Sequence, residues 1–459
     1  MLTRSLSECA AAGYLDAAQV PWLVRLRAAL DANPAIEVDF TPPADPDVES
    51  LTRNGLAWTG GLSQPAQARV DAALGGHPTS TDIAWPAGGS LSNDTLDAVV
   101  RRGARTVILS AAALRGSAKG SSPRNALAPL QTPAGPVLAA VSSNSIQRYV
   151  VPVLAVGGTG LADLPELVSE VAIRAVADAA TSHYVVIVPP REIDPSETAS
   201  QAILATAHVF WATPLTLRAA IPPTVEPADH GQLVPPAAGA PALSPLTIST
   251  AQRLTRVVPA LTTMLSSTDA DTLLGSLPAA VQRAESTAWR TAPAAGVAYA
   301  EQLSRRVDAI ESGVHILKPS GGTYTLASSS SPLPVTIENT LNIPVFVRVR
   351  VTSANGLPGF TAADLGRQAI APNTKVTLHI PTHVERTGRF VVQAELYTPN
   401  DVPLGVPVFL SVHSTALGAI GVIITITAAA VLLLALLVRF IRRMRAPRSA
   451  PVTEPPLIA

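Results

Sequence analysis

The chain has 459 residues, of which 47% are hydrophobic and 14% charged, and its 33 basic and 33 acidic residues cancel. This composition excludes an intrinsically disordered chain, because disorder requires high charge and few apolar residues. No basic stripe precedes the C-terminal tail, which argues against nucleic-acid binding, and the single cysteine, Cys9, excludes an intrachain disulfide and a thiolate metal cage.

The first part of the chain, residues 1–220, alternates short β-branched runs with helical stretches. The candidate strands are 36–40, 82–84, 106–109, 136–141 and 184–188. Strands alternating with helices imply parallel βαβ units in an open sheet or a barrel. Because a closed barrel of this kind has about eight strands, the sequence predicts an incomplete, barrel-like α/β domain.

Acidic residues stand in three loops at the carboxyl ends of these strands, where parallel α/β folds bind ligands. A tryptophan face packs on a sugar ring, while carboxylates hold its hydroxyls or act as acid and base. The candidates are Asp47, Asp82 and Asp194 for catalysis, and Trp85, Asp45 and Glu192 for glycan contact.

A structural interpretation of the same residues stays open and is the one we favour. Asp45, Asp94 and Asp194 precede helical patterns, and aspartate is a preferred N-cap. In this interpretation Trp85 is a packing residue, and the loops only connect strands to helices.

The middle and second parts of the chain change in pattern. Residues 221–245 are rich in Pro and Ala and predict a linker. Residues 246–314 have helical apolar spacing and predict a block of helices. Residues 315–413 alternate apolar and polar side chains and predict an immunoglobulin-like β-sandwich. Its candidate strands are 323–327, 333–339, 345–352, 375–381, 388–397 and 407–412.

Nothing in these patterns indicates a cofactor or metal site. His379 and His383 have the i, i+4 spacing that places two zinc ligands on one helix face. They fall in a predicted strand with a proline between them, where that spacing loses its meaning. We therefore expect neither a metal nor a cofactor.

An uncharged segment, residues 416–438, stands near the C-terminus. A helix of that length measures about 34 Å and can span a hydrocarbon core of about 30 Å. By the positive-inside rule, the arginines that follow mark the cytoplasmic side. They include Arg439, Arg442, Arg443 and Arg445. The prediction is a single-pass cell-membrane protein with an extracytoplasmic body and a basic cytoplasmic tail, residues 439–459.

An exported body requires a secretory signal, and the first residues do not provide one. The stretch MLTRSLSECAAAGYLDAAQVPWLVRL lacks the apolar run of about 7–15 residues that a signal peptide contains. We therefore expect the chain to be the C-terminal portion of a longer exported protein. The alternative is a tail-anchored protein with a cytoplasmic body, whose arginines would have to cross the membrane.

Several segments carry a resemblance to a known family: ADPDVESL, DIAWPAGG, RAESTAWR, PLPVTIENTLNIPVFVRVRV and the membrane segment. Over residues 36–443 the chain resembles an uncharacterised family of actinobacterial exported, Ala/Pro-rich, single-pass membrane proteins, often encoded beside the lipid II flippase. The resemblance implies a non-enzymatic cell-envelope protein that supports wall or division assembly by binding glycan or envelope proteins, the flippase among them.

A looser resemblance keeps an enzymatic alternative open. The first domain is similar to α/β barrels of the polysaccharide-deacetylase type, which implies a glycan-active hydrolase or deacetylase relative using the loop carboxylates. Residues 1–220 lack the Asp-Asp pair and the His-x-x-x-His that those deacetylases use for metal.

Overall fold

The structure is a computed structural model. It describes residues 21–33, 36–58, 64–115, 126–155, 160–177, 184–209, 211–220, 232–237, 239–318, 323–354, 356, 358–385, 387–414 and 419–444. Cys9, Arg445 and much of the predicted linker lie outside these ranges. The chain divides into two compact units, Met1–Val258 with Leu274–Arg306, and Pro259–Leu273 with Val307–Ala459.

The first unit mixes helices and strands. Its helices are α1 (Pro21–Ala32), α2 (Val48–Arg53), α3 (Gln64–Ala73), α4 (Asn93–Arg101), α5 (Asn144–Leu154), α6 (Leu164–Ala177), α7 (Glu197–Ala207) and α8 (Leu217–Ala220), and later α11 (Leu277–Ala284). Its strands are β1 (Val38–Asp39), β2 (Thr79–Ser80), β3 (Ile83–Ala84), β4 (Thr106–Ser110), β5 (Leu114–Arg115), β6 (Leu127–Thr132), β7 (Gly135–Ser142) and β8 (Gln232–Leu233).

The parallel strands of this unit follow one another in chain order. β1 pairs with β2, β3 pairs with β4, and β4 pairs with β7, all parallel. Ser142 at the end of β7 forms a further parallel bridge to Val186. The predicted alternation of strands and helices is therefore confirmed, and the described strands form a curled half-barrel rather than a closed barrel.

One strand corrects the expectation of purely parallel βαβ units. β6 pairs antiparallel with β7 through a hairpin whose strands end at Thr132 and begin at Gly135. So short a connection cannot reverse the chain twice, as a parallel crossover must. β5 and β8 form a separate antiparallel pair.

Helices cover the half-barrel because their apolar positions recur at helical spacing. On one face, Leu96 and Val99 of α4 are buried with Val107 and Leu109 of β4. On the other face, Ala220 of α8 packs with Leu127, Leu138 and Ala140. Each such fully buried leucine or valine contributes about 1.5–3 kcal/mol relative to an exposed one. The sheet is thus covered on both faces.

The second unit contains nine described strands in two sheets. They are β9 (Val314–Ile316), β10 (Thr323–Leu326), β11 (Pro332–Asn339), β12 (Val345–Ser353), β13 (Phe360–Ala362), β14 (Gln368–Ile370), β15 (Thr374–Val384), β16 (Gly388–Tyr397) and β17 (Pro403–Ser414). The sheet orders are β10-β17-β16-β12-β14 and β13-β15-β11-β9. Phe360 and Phe390 meet between the sheets with ring centroids 5.7 Å apart. The predicted two-layer β domain is confirmed.

Apolar residues alternate with polar ones along these strands, which explains why one face of each strand lies in the core. Along β11 the residues Leu333, Val335 and Ile337 are fully buried, while the residues between them are partly exposed. A period of two places every second side chain in the core. All six predicted strands are present, and β9, β13 and β14, of three residues each, are additional.

The predicted helical block does not stand as a unit of its own. It forms α9 (Pro245–Thr262), α10 (Ser267–Leu274), α11 and α12 (Pro293–Ser312). The division between the compact units falls inside α9 and α12, so residues of the block belong to both. A last helix, α13 (Ala419–Met444), follows the second unit's strands.

Asn339 holds the end of β11 in the second unit. Its side chain is 0% exposed. The amide nitrogen donates to the carbonyls of Ile343, Ile370 and Ala371 at 2.9, 3.3 and 3.0 Å, and the amide oxygen accepts from the Leu341 N–H at 3.0 Å. One amide therefore satisfies backbone groups from two segments.

Replacing Asn339 by alanine is expected to destabilise the second unit by about 2–3 kcal/mol, because several buried backbone groups lose their partner. Hydrogen exchange followed by mass spectrometry on β11 and β14 peptides measures the loss of protection. Thr336→Ala removes only an exposed Thr336–Thr377 hydroxyl contact and serves as control. Equal protection in both variants would contradict the role assigned to Asn339.

Candidate functional site

Segments from three strand ends meet at the carboxyl edge of the half-barrel. Asp45 follows β1, Trp85 follows β3, and Arg191 follows the segment that bridges to β7. The Arg191 guanidinium donates to the Asp45 carboxylate and to the carbonyl oxygen of Trp85. It also lies 4.9 Å from the centroid of the Trp85 ring. Asp45 and Trp85 thus lie together at this edge, joined by Arg191.

Asp45 is held in an unusual backbone conformation. Ala44 and Asp45 have φ values of 61° and 50°, and this left-handed region costs roughly 1–2 kcal/mol for a residue with a Cβ. Thr287 secures the loop, because its hydroxyl donates to the Asp45 carboxylate at 2.5 Å and its N–H donates to the Asp45 carbonyl at 2.9 Å. The carboxylate of Asp45 thus accepts from two side chains.

Asp47 is buried, with 1% of its side chain exposed, and forms a bidentate ion pair with Arg290. Both nitrogen–oxygen distances are 2.6 Å. Asp47 is also the N-cap of α2, accepting from the Ser50 N–H at 3.0 Å and from the Ser50 hydroxyl at 2.6 Å. A carboxylate has about four acceptor positions, and here all of them are in use.

The turn after Trp85 is fixed by a close approach. A Cβ on Gly89, whose φ is +61°, would lie 2.5 Å from the backbone nitrogen of Ser110. Only glycine can occupy that position, so the Pro-Ala-Gly-Gly loop packs directly on the end of β4. The loop is therefore part of the fold as well as of the cavity rim.

Asp82 belongs to a second group of charged residues, which does not include Asp45 or Asp47. It accepts from the Ser80 hydroxyl, and its carboxylate lies 3.4 Å from the Arg218 guanidinium. Arg218 also faces Glu37 at 3.8 Å and Asp39 at 4.0 Å. Burial, and next the negative charge of Glu37, raise the pKa of Asp39 above its usual 3.8, with Asp82 adding to the shift.

The remaining loop acids do not join either group. Glu192 and Asp194 are exposed beside Arg191. The capping interpretation is wrong for Asp45, Asp94 and Asp194. The N-caps of the three helices concerned are Asp47, Ser92 and Ser196. Asp94 instead lies in the first turn of α4, where a negative charge is favourable to the helix dipole.

A cavity of about 370 Å³ opens between the loop after β1 and strand β3. Trp85 and Asp45 line it near the carboxyl edge, as the glycan-contact hypothesis requires, but Glu192 does not. At the amino-terminal end it is lined by Trp58 and Arg102. The Arg102 guanidinium lies 4.2 Å from the Trp58 ring centroid and donates to the Trp58 carbonyl at 2.9 Å.

Sequence reasoning missed the basic partners of the site. Arg191 and Arg290 lie 146 and 243 residues from the acids they bind, so no local spacing relates them. Asp39 and Arg102 were likewise missed, because a charged residue inside or after a short helix or strand resembles a solvated surface group. The arginines in VPPREIDP and RAESTAWR were the available signal.

The histidine pair and the apolar C-terminal segment lie in the second unit. His379 and His383 are exposed on β15. Among the described residues, one helix is long and apolar enough to cross a membrane, over Ile424–Met444 with a mean hydropathy of 2.5. Arg439, Arg442 and Arg443 lie in its C-terminal part.

The features together define a protein with a mixed α/β unit, a two-sheet β unit and one candidate membrane helix. The chain belongs to a family of unknown function, DUF6049, whose model matches residues 14–449. No curated protein sequence matches it significantly.

Solved structures match only a part of the chain. The Escherichia coli chaperone DraB matches at 14% identity over 23% of this chain and 56% of its own, with a TM-score of 0.18. The Caenorhabditis elegans MSP family member WR4 matches at 8% identity over 22% and 98%, with a TM-score of 0.17. The ASH/PapD-like domain of human CEP192 matches at 11% identity over 23% and 87%, with a TM-score of 0.18. The chain thus spans about half of DraB, and matches this weak carry no functional argument.

Removing Arg290 is expected to destabilise the first unit strongly. Arg290→Met leaves Asp47 buried and unpaired, at a cost of about 3–5 kcal/mol. Urea unfolding followed by tryptophan fluorescence reports on this unit, because all five tryptophans of the chain lie within it. Arg305→Met is the control, since Arg305 is 69% exposed and its partner Glu301, 3.8 Å away, is 50% exposed. Similar midpoints for the two variants would refute the role of the ion pair.

The Asp39 group is expected to make stability depend on pH. Its pKa is higher in the folded than in the unfolded chain, so ionisation of Asp39 opposes folding as the pH rises from 3.8 through the folded-state pKa. Asp39→Asn should therefore raise the urea midpoint at pH 7 and leave it unchanged below 3.8. Asp194→Asn, at an exposed site, is the control. A lower midpoint for Asp39→Asn at pH 7 would reverse the sign and exclude this cause.

Proposed function

We propose that the protein is a non-enzymatic, single-pass membrane protein of the cell envelope. It holds the barrel-like α/β unit and an immunoglobulin-like sandwich outside the membrane, with the basic tail in the cytoplasm. It supports wall or division assembly by binding glycan or envelope proteins. The apolar helix α13 and its terminal arginines support this orientation.

One observation supports a binding function rather than catalysis: the loop carboxylates form ion pairs and a helix cap within the protein. Asp47 is buried, caps α2 and pairs with Arg290, and Asp45 pairs with Arg191. A general acid or a nucleophile must reach the substrate with a free oxygen. These carboxylates instead fix the rim of a cavity that remains open to a ligand.

The resemblance to envelope proteins encoded beside the lipid II flippase supports the place of action. Under this proposal the partners are the membrane, wall glycan and envelope proteins, the flippase among them. No cofactor is required for binding.

One observation favours the alternative, a glycan-active hydrolase or deacetylase relative. Asp39 and Asp82 face the same guanidinium, and the pKa of Asp39 is raised mainly by burial. Two carboxyl groups, one of which holds its proton more strongly, are what glycoside hydrolysis uses as acid and partner. Arg218 faces both carboxylates, which indicates instead that the positive charge of Arg218 and the negative charges of these acids compensate each other.

The experiment uses the full chain with an epitope on the C-terminal tail. Protease added to intact, wall-stripped cells is expected to digest the body and leave the tail with α13 protected. Membranes that contain the protein are expected to release no sugar or acetate from purified wall glycan above membranes without it.

Two results would overturn the proposal. Protection of the body with cleavage of the tail would place the body in the cytoplasm. Release of sugar or acetate that is lost in Asp39→Asn or Asp82→Asn, but kept in the exposed control Glu166→Gln, would establish the enzyme instead.

A further inference from the structure

The lining of the cavity is mostly apolar. Apart from the two tryptophan indoles, its polar side chains among the described residues are Thr41, Asp45, Thr81 and Arg102. Asp45 is already bound to Arg191 and Thr287. A sugar placed inside would leave most of its hydroxyls without partners, and each unpaired buried polar group costs about 1–3 kcal/mol. The lining therefore disfavours a sugar and favours a hydrocarbon.

The lining of the cavity includes residues at both ends of β3. Thr81 and Ala104 line it at the amino-terminal edge of the strands, and Trp85 lines it at the carboxyl edge. Four residues of extended chain separate Thr81 from Trp85, which corresponds to about 13 Å. With a volume of about 370 Å³, the cavity falls within the usual range of small-molecule sites, about 300–1,000 Å³.

The charges at the two ends differ. At the carboxyl edge, the Asp45 charge is neutralised by Arg191. At the other edge, Arg102 has no ion pair among the described residues, and its guanidinium donates to the Trp58 carbonyl. A guanidinium has five N–H donors, and this bond uses one of them. Stacking on Trp58 at 4.2 Å fixes the orientation of the guanidinium.

We infer that the cavity binds a single-chain amphiphile, with the hydrocarbon along β3 between Phe40 and Val99 and an anionic head group on Arg102. The inference rests on the proposal that the cavity binds a ligand rather than catalysing a reaction, and it assigns an amphiphile instead of glycan to this cavity. A carboxylate or a phosphate suits Arg102 equally, because a guanidinium fork pairs with either. Fatty acids and alkyl phosphates are the two sources.

Photocrosslinking of the full chain in lipid nanodiscs tests the inference. The probes are diazirine-bearing lauric acid, diazirine-bearing dodecyl phosphate and the neutral diazirine-bearing dodecanol. The anionic probes are expected to label peptides containing Trp58, Ile83 or Val99. The stronger of the two labels identifies the head group.

Arg102→Gln should reduce labelling of those peptides by the anionic probes about tenfold, the loss expected for one charge-assisted hydrogen bond. Labelling by dodecanol should be weak and equal in both proteins. Arg101→Gln is the matched control. Arg101, the residue before Arg102, is exposed, pairs with Asp97 and does not line the cavity. Because Arg102 is exposed, its replacement leaves the core intact.

A second variant tests the binding of the ligand's hydrocarbon rather than of its head group. Ala84→Leu adds bulk to the cavity wall and should abolish labelling by all three probes, while the urea midpoint measured by tryptophan fluorescence shows that the unit is folded. If the variant does not fold, Arg102→Gln alone decides.

The inference is overturned if labelling falls outside the cavity or if Arg102→Gln labels like Arg101→Gln. It is also overturned if a soluble disaccharide-peptide wall fragment displaces the probes. That last result would keep the proposed binding function and change only the ligand class, whereas glycan turnover in the earlier experiment would remove the function itself.

Discussion

The ion pair between Asp47 and Arg290 holds together two parts of the first unit that lie 243 residues apart. Because both charges are largely removed from water, neither can be left without the other. The neighbouring contacts depend on the same register, including the Pro46–Ser286 bridge and the Thr287 bonds to Asp45. The loop after β1, which forms one wall of the cavity, is thus positioned by a segment that follows α11.

That constraint decides what the carboxyl edge can do. In many parallel α/β folds the acids of this edge are free to act on a substrate. Here Asp45 and Asp47 stabilise a strained loop, and Arg191 covers a face of Trp85 while bonding to its carbonyl. These carboxylates are therefore paired with arginines of the protein itself, and the adjoining cavity is lined mostly by apolar side chains. At the opposite end of the cavity, the exposed Arg102 guanidinium stacks on Trp58 and bonds to its carbonyl.

The sequence predicted elements whose signal is local and missed those fixed by distant contacts. β4 and β7 were recognisable from β-branched runs, and β11 from its alternation. β6 was missed because LAPLQT contains a proline and two polar residues, and β13 and β14 because three residues show no period. Asp45 and Asp47 were identified as notable, but a loop carboxylate gives the same local signal as a cap, an ion-pair member or a catalyst. Only the position of Arg290 distinguishes these roles.

Helix α13, as the proposed membrane anchor, gives a reason why a binding site with few polar contacts would suffice. β17 ends at Ser414 and α13 begins at Ala419, so at most about 18 Å of extended chain separates them. In the proposed single-pass arrangement, the end of β17 therefore lies within that distance of the membrane helix. Tethering a binding protein to the surface that contains its ligand raises the effective concentration to the millimolar range for short links. Under the proposed function, the chain and an anionic amphiphile share one membrane, so one arginine and an apolar lining would provide adequate affinity without the dense hydrogen bonding that recognition of a dilute soluble sugar requires.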